Sequence, residues 1–183
     1  MQTMQTMQTM QMTQQLDFDY QYSFQDFASD CYLFNELAGK DTKCSFTDMY
    51  QQSMLVHEEV LEIIDGIRHN NPEEVLDGAI DVLVVTLGLL QKLEELGVDV
   101  SKAMQKTAIN NFSKFPTDRV IAVASVDALK EKGVDCNFEY NEGYEVYVIK
   151  DSNDKVRKPL DFVSNDLLDC IPEVLVKQGF DKE

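Results

Sequence analysis

The sequence predicts a mainly α-helical protein with a four-helix core and a small β-hairpin appendage near the C-terminus. Helices are predicted because apolar residues recur at steps of three and four through most of the chain, in segments separated by short polar breaks. The hairpin is predicted because two later segments alternate between apolar and polar residues around a turn signal, Asn141-Glu142-Gly143. The predicted parts are a low-complexity arm at residues 1–15, a helical core at 16–118, and an appendage at 119–183 that packs on the core.

The composition limits the class of protein. A chain of 183 residues can bury one sizeable core. Its 33 acidic residues outnumber its 16 lysines and arginines, and the net charge of −17 argues against binding a nucleic-acid polymer. No apolar run reaches the roughly 18 residues of a membrane span, and the N-terminus lacks signal-peptide features. We therefore expect a cytoplasmic protein without a membrane partner. The four cysteines are widely spaced and form no Cys-x-x-Cys pair, so we expect them to be reduced.

The N-terminal arm opens with the tripeptide Met-Gln-Thr repeated three times over residues 1–9. Such low-complexity sequence has few groups that can specify a core, which favours a disordered arm. Methionine and glutamine also have good helix propensity, so a helix that becomes ordered in an oligomer is the alternative.

A first helix is predicted in the aromatic-rich segment after the arm. Phe24, Phe27, Cys31 and Phe34 share one helical face, and Gly39 is a plausible end of the helix. Aromatic residues at this spacing usually form core. The alternative is that some of them line a slot that stacks on a nucleobase.

Two longer helices are predicted next, joined by a short polar break. The segment Ser45-Phe46-Thr47-Asp48 provides N-cap candidates for the second helix, and Pro72 suits the first turn of a third helix that runs to about Gly97. The second helix has an apolar stripe, formed by Met54, Leu55, Leu61, Ile64 and Ile67. The short break predicts an antiparallel helix hairpin whose apolar side chains pack into a bundle.

The remaining elements are predicted to be shorter. A fourth helix begins at about Ser101, and another spans residues 119–132. Two hairpin strands come next, with a short third strand at residues 155–157. A last short helix opens near Ser164 and is interrupted or restarted at Pro172.

The predicted helix hairpin carries two acidic stripes. Residues three or four apart share a helical face, and the acids occur at these steps on both helices. The first stripe is formed by Glu58, Glu59 and Glu62, and the second by Glu74, Asp77 and Asp81. Carboxylates so placed repel one another, and a hard cation, Mg²⁺ or Mn²⁺, compensates for this. A solvated helix surface is the alternative, although Asp81 lies in an otherwise apolar segment, where an unpaired carboxylate is costly.

The acidic pattern resembles the signature of the MazG-like all-α nucleoside triphosphate pyrophosphohydrolases, Glu-Glu-x-x-Glu and then, after a gap, Glu-x-x-Asp. The run Glu58-Glu59-Val60-Leu61-Glu62 matches the first half, and Glu74-Val75-Leu76-Asp77 matches the second. The apolar run after Asp81 is similar to the apolar segment after the family's last aspartate. The aligned pair is therefore either Glu74 with Asp77 or Asp77 with Asp81, and the sequence leaves this choice open.

The resemblance continues beyond the helix hairpin and spans roughly residues 24–172. The segment Asn111-Phe112-Ser113-Lys114 is similar to the family's Asn-x-Ser-Lys segment, which implies that Asn111 and Lys114 face the phosphates of a nucleotide. The alternative is an ordinary helix C-terminus, where lysine and asparagine are both favourable. Residues 148–159 look like the tail of phage and bacterial members that are similar to phosphoribosyl-ATP pyrophosphohydrolases.

The resemblance implies an enzyme that converts a ribo- or deoxyribonucleoside triphosphate and water into the monophosphate and pyrophosphate. Magnesium, or manganese in its place, would be bound by acids of both stripes, namely Glu59, Glu62, Glu74, Asp77 and Asp81. Glu58 or Glu62 would orient or deprotonate the attacking water. The helical core at residues 16–118 is then the catalytic part, and the family's habit of assembly implies a homodimer or homotetramer. The location is the cytoplasm, of the host if the protein is viral.

Two other classes of function fit the same residues. One is a nucleotide sensor or sequestering protein that binds metal and nucleotide without turnover. The other is a structural oligomerisation protein whose acidic helix hairpin is a solvated surface. Magnesium-dependent stabilisation separates the structural class from the other two, because a ligand that binds only the folded state stabilises it. Turnover separates the enzyme from the sensor.

Overall fold

The computed structural model describes residues 21–180 and is mainly helical, which confirms the predicted fold class. Its helices are α1 (Phe24–Leu37), α2 (Phe46–Arg68), α3 (Pro72–Glu95), α4 (Val100–Phe112), α5 (Arg119–Glu131) and α6 (Glu173–Gln178). Its strands are β1 (Cys136–Asn141) and β2 (Val146–Asp151). The predicted arm at residues 1–15 lies outside the described residues. None of the helices in residues 21–180 combines the length and the apolar character that a membrane span requires.

The chain divides into two compact units between Glu95 and Leu96. The first unit contains α1, α2 and α3, and the second contains α4, α5, the β hairpin and α6. The predicted boundary at residue 118 remains a prediction. The division after Glu95 assigns α4 to the same unit as the β hairpin.

The first two helices both begin with a reciprocal capping box. Ser45 Oγ accepts a hydrogen bond from the Asp48 backbone N–H at 3.2 Å, and the Asp48 carboxylate accepts one from the Ser45 N–H at 3.1 Å. Ser23 and Asp26 form the same arrangement at the start of α1. These bonds satisfy backbone donors that a helix start leaves free, so the predicted N-cap of α2 is confirmed.

Helices α2 and α3 form the predicted antiparallel hairpin. Near its closed end Gly66 faces Val75, and farther along Gly78 faces Ile63. A Cβ at Gly78 would lie 3.0 Å from Ile63 Cγ1 and 3.3 Å from the Ile63 backbone nitrogen. The two helices therefore pack at a separation that glycine permits and a larger residue does not.

The interior of the first unit is unusually polar. Its buried polar side chains are Asn35, Gln52, Gln91 and Lys92. Gln52 Nε2 donates to the Val85 carbonyl at 2.8 Å, and Gln91 Nε2 donates to the Tyr32 carbonyl at 3.3 Å. The amide nitrogens of Asn35 and Gln52 both face Gly88, where a Cβ would lie about 3 Å from each. Hydrogen bonds to backbone carbonyls, and not apolar contact alone, thus join the three helices.

The apolar stripe predicted on α2 is not buried, which corrects the expectation that it packs into a bundle. Each of its members is at least 37% exposed, with Ile67 reaching 64%. The physical reason is the position of α1, which packs on α3 and leaves the outer side of α2 without a partner helix in this unit.

The second unit has its own small core, where α5 packs on the β hairpin. Val126, Cys136 and Ile149 are buried together there. The strands pair in antiparallel register from Cys136 opposite Asp151 to Asn141 opposite Val146, so the predicted hairpin is confirmed. The predicted third strand at residues 155–157 is wrong, since only an isolated bridge joins Val156 to Lys150. Two backbone hydrogen bonds flank this bridge, from the Asp151 N–H to the Lys155 carbonyl and from the Arg157 N–H to the Ile149 carbonyl, and Pro159 has no N–H to continue the pairing.

Candidate functional site

The close contact between α2 and α3 determines which acids face each other. A Cβ at Gly78 would lie 3.4 Å from the carbonyl oxygen of Glu59, so the two backbones nearly touch at this level. Asp77 precedes Gly78, and Asp81 lies about one helical turn beyond it. The acids of α3 are therefore placed beside Glu59 by a backbone contact and do not depend on any one side-chain rotamer.

The electrostatics of Glu59 define the cluster. Burial raises the pKa of the half-buried Glu59 carboxyl, and the neighbouring carboxylates of Glu62, Asp81, Glu58 and Asp77 raise this pKa further, in that order. Like charges at short range favour the protonated form of a carboxyl. We call these residues, Glu58, Glu59, Glu62, Asp77 and Asp81, the acidic cluster.

Glu74 does not belong to the acidic cluster and has a local role. Its side chain accepts a hydrogen bond from Asn71 Nδ2 at 3.2 Å, and its backbone N–H donates to Asn71 Oδ1 at 3.4 Å. This is a capping arrangement at the start of α3. The interactions of Glu74 are thus explained without a metal ion.

The chemistry of the acidic cluster fits a magnesium or manganese ion, because it offers carboxylate oxygens from two facing helices. Glu58, Glu62 and Asp77 are exposed, and Asp81 is half-buried. In residues 21–180, however, no three histidine, cysteine, aspartate or glutamate side chains lie close enough together to hold a metal ion. The structure brings the helix positions together and leaves the carboxylate oxygens dispersed.

Asn111 and Lys114 lie in the second unit, at the end of α4. Lys114 Nζ donates a hydrogen bond to Asn111 Oδ1 at 2.9 Å, so the two predicted phosphate-binding side chains bind each other. Ser113 caps the helix, and the backbone N–H of Lys114 donates to the Asn111 carbonyl at 3.3 Å. This is the geometry of an ordinary helix C-terminus, and contact with phosphate stays a prediction.

The aromatic face of α1 is only partly core. Cys31 is buried and Phe27 half-buried, whereas Phe24 and Phe34 are 64% and 57% exposed. Phe24 and Phe27 have ring centroids 6.5 Å apart at a tilted angle. Neither a closed core nor a slot with parallel aromatic walls is formed by these residues.

A pocket of about 490 Å³ in the first unit was not anticipated from the sequence. It lies between the α1–α2 loop, the first turns of α2 and the end of α3. Its lining residues are Lys40, Lys43, Asp48, Gln51, Gln52, Met54, Leu55, Glu58 and Lys92. Lysines are scarce in this unit, and their grouping at 40 and 43 was the only signal available in the sequence. Glu58 belongs both to this pocket and to the acidic cluster.

No protein-family model, curated protein or solved structure matches this chain. The fold and the acidic cluster define a helical protein in which four carboxylates of two antiparallel helices act on a fifth, the half-buried Glu59, and raise its pKa. A proposal for its function rests on this arrangement and on the residues around it.

Proposed function

We propose that this protein is a magnesium-dependent nucleoside triphosphate pyrophosphohydrolase of the MazG-like kind. It converts a ribo- or deoxyribonucleoside triphosphate and water into the monophosphate and pyrophosphate. One observation carries the proposal: Glu59 is half-buried on α2 among four other carboxylates from α2 and α3. Placing four other carboxylates near a half-buried one has a cost in stability, and a bound cation offsets this cost.

The residues that would hold Mg²⁺, or Mn²⁺ in its place, are Glu59, Glu62, Asp77 and Asp81. The electrostatic contact of Glu59 with Asp77 and Asp81 favours this pair over Glu74 with Asp77, because Glu74 is engaged in capping α3. When bound, magnesium neutralises phosphate oxygens and stabilises the charge that develops during displacement.

The protein's own groups supply the water chemistry. Glu58 is exposed and lines the pocket, so its carboxylate has room to accept a hydrogen bond from a water molecule. Glu58, or Glu62 one turn away, takes a proton from that water as its oxygen bonds to the α-phosphorus. The bond from the α-phosphorus to the bridging oxygen breaks, and pyrophosphate leaves with the bridging oxygen and its electron pair.

A second copy of the chain is part of this proposal, as a homodimer or homotetramer. Tyr50, Met54, Leu61 and Ile64 recur at helical spacing on α2, and each is at least 37% exposed. Exposed apolar side chains that repeat along one face of a helix are typical of an interaction site. A second copy would present the same four side chains, and association would bury both sets.

The test is release of pyrophosphate from a panel of ribo- and deoxyribonucleoside triphosphates, with magnesium and with EDTA. The variants are Glu62→Gln and, as a matched control, Glu36→Gln on the exposed side of α1. We expect metal-dependent release in the wild type and the control, and its loss in Glu62→Gln. Magnesium-dependent nucleotide binding without release would instead favour the sensor, and neither binding nor release would leave the structural role.

A further inference from the structure

The cations of the first unit are concentrated at one place. Residues 21–95 contain fifteen aspartates and glutamates and four lysines and arginines. Three of these four cations, Lys40, Lys43 and Lys92, line the 490 Å³ pocket, and the fourth, Arg68, lies at the other end of α2. The pocket is therefore the site in this acidic unit where an anion meets positive charge.

Lys92 holds the wall of the pocket in place. It is 4% exposed, and its ammonium group donates hydrogen bonds to the backbone carbonyls of Lys40 and Lys43, the latter at 2.6 Å. Gly39, at a φ of 61°, makes the turn that leads from α1 into this loop. The loop is thus fixed to α3 through its carbonyls, and the side chains of Lys40 and Lys43 remain at the pocket.

Among the described residues neither of those two side chains is held in an ion pair, although the pKa of Asp48 is lowered by its hydrogen bonds from Ser45 and, more weakly, by the nearby charges of Lys92 and Lys43. Lys40 Nζ lies 5.9 Å from the centre of the Phe34 ring, and Asp48 accepts its hydrogen bonds from Ser45. Two ammonium groups are therefore available to an anionic ligand.

The pocket is continuous with the acidic cluster through Glu58. The residues of α2 that line it, from Gln51 to Glu58, precede Glu59 and Glu62 on the same helix. With a rise of about 1.5 Å per residue, Glu62 lies about 10 Å along the helix from Leu55. A ligand that occupies the pocket can reach the cluster along one helix.

We propose that Lys40 and Lys43 form a polyphosphate-binding site that receives the terminal phosphates of the nucleotide, the part that leaves as pyrophosphate. Lysine is a common phosphate ligand, and charge on the leaving group is stabilised by cations placed where that charge develops. The orientation toward the acidic cluster rests on the proposed function, whereas binding of a polyphosphate by the two lysines does not. This site assigns the phosphate contacts to the first unit, in addition to those predicted for Asn111 and Lys114.

The experiment is calorimetric titration of the full chain with inorganic pyrophosphate and tripolyphosphate, in EDTA and in magnesium. The test variant is Lys40→Gln/Lys43→Gln, with Arg68→Gln as the control, since Arg68 is the cation of residues 21–95 that does not line the pocket. Each lost charge-assisted hydrogen bond corresponds to roughly tenfold in affinity, so we expect the double variant to bind at least about tenfold more weakly and the control to bind as the wild type does. A Lys40→Arg/Lys43→Arg variant should retain binding, which distinguishes lost charge from a damaged loop.

The outcomes separate this proposal from the proposed function. Absence of pyrophosphate and tripolyphosphate binding in the wild type would overturn the lysine site, even if nucleotides are hydrolysed. Unchanged affinity or KM in Lys40→Gln/Lys43→Gln would overturn it as well. Binding that is lost in the glutamine variant and kept in the arginine variant supports the site, and it does so even if no triphosphate is hydrolysed, in which case only the proposed function fails.

Discussion

Replacing Glu59 by glutamine should stabilise the metal-free protein. Four carboxylates near Glu59 repel its charge, and one pair of like charges on a helix surface costs about 0.2 to 0.5 kcal/mol of stability. Four such pairs amount to roughly 1 to 2 kcal/mol, and burial of the carboxylate adds to the cost in the same direction. Chemical denaturation in EDTA should therefore show Glu59→Gln to be about 1 kcal/mol more stable than the wild type at neutral pH. Added salt screens the repulsion and should therefore reduce the difference in stability between Glu59→Gln and the wild type.

The pH dependence has a definite sign. The folded-state pKa of Glu59 lies above the unfolded value of about 4.3, so the folded protein binds the proton first as the pH falls. The destabilisation is full above the folded pKa of Glu59, and it disappears as the pH falls from that pKa to below the unfolded value of about 4.3. Glu59→Gln lacks the ionised carboxylate and should lose this pH dependence. The difference in free energy of unfolding between the variant and the wild type should therefore shrink toward acid pH.

Magnesium should reverse the order of stability. A ligand that binds only the folded state raises the free energy of unfolding by about 2.7 kcal/mol when its concentration is about 100 times its dissociation constant. Magnesium at that concentration should stabilise the wild type by this amount and should stabilise Glu59→Gln much less. Glu36→Gln serves as the control and should stay within about 0.5 kcal/mol of the wild type in both conditions. A variant that is no more stable than the wild type in EDTA would refute the repulsion argument, and equal stabilisation of both proteins by magnesium would refute Glu59 as a ligand.

Three further predictions concern other parts of the structure. Gly66→Ala gains about 1 kcal/mol of helix propensity but places a Cβ 2.9 Å from Val75 Cγ2 and 3.0 Å from the Val75 nitrogen. We therefore expect chemical denaturation to show a net decrease of about 1 kcal/mol in the free energy of unfolding. An increase would contradict the close packing of the two helices. Hydrogen bonds from Lys106 and Lys102 hold the pKa of Asp169 far below its usual range, so the stabilisation they provide is present above about pH 4 and is lost as the pH falls. In Asp169→Asn the free energy of unfolding should therefore fall less steeply at acid pH than in the wild type. An unchanged dependence on pH would count against these ion pairs. Light scattering should show the wild type as a dimer or tetramer and Ile64→Lys as a smaller species. A monomeric wild type would exclude the proposed role of Tyr50, Met54, Leu61 and Ile64 in assembly.

The elements of the fold were largely predictable, because they depend on local signals. The capping residues Ser45 and Asp48 and the turn at Asn141 act within a few residues, and the structure forms the elements they predict. The burial of the α2 stripe was not predictable in the same way. Periodicity shows that Leu61 and Ile64 share a face, but not whether another helix covers that face.

The candidate site was predictable only in part, for a similar reason. The acids of α2 and α3 could be assigned to facing helices from their spacing, whereas the choice between Glu74 and Asp81 depends on the offset of the two helices. That offset is set by the contacts at Gly66 and Gly78, which no local pattern reveals. The pocket lined by Lys40 and Lys43 depends on the hydrogen bonds that Lys92 donates to these two residues, which lie 52 and 49 positions before it in the chain. A periodic pattern in the sequence cannot reveal contacts at such separations.

The hydrogen bonds of Lys92 also determine when the pocket can exist during synthesis. The loop at residues 40–43 is made early, yet the ammonium group that holds it comes about fifty residues later. A nascent chain that ends within α3 before Lys92 therefore contains both pocket lysines and the acids of the cluster, but not the hydrogen bonds that fix the loop. Because these hydrogen bonds close the loop across about fifty residues, the closure cannot precede synthesis of Lys92, and it carries the entropic cost of a long-range contact.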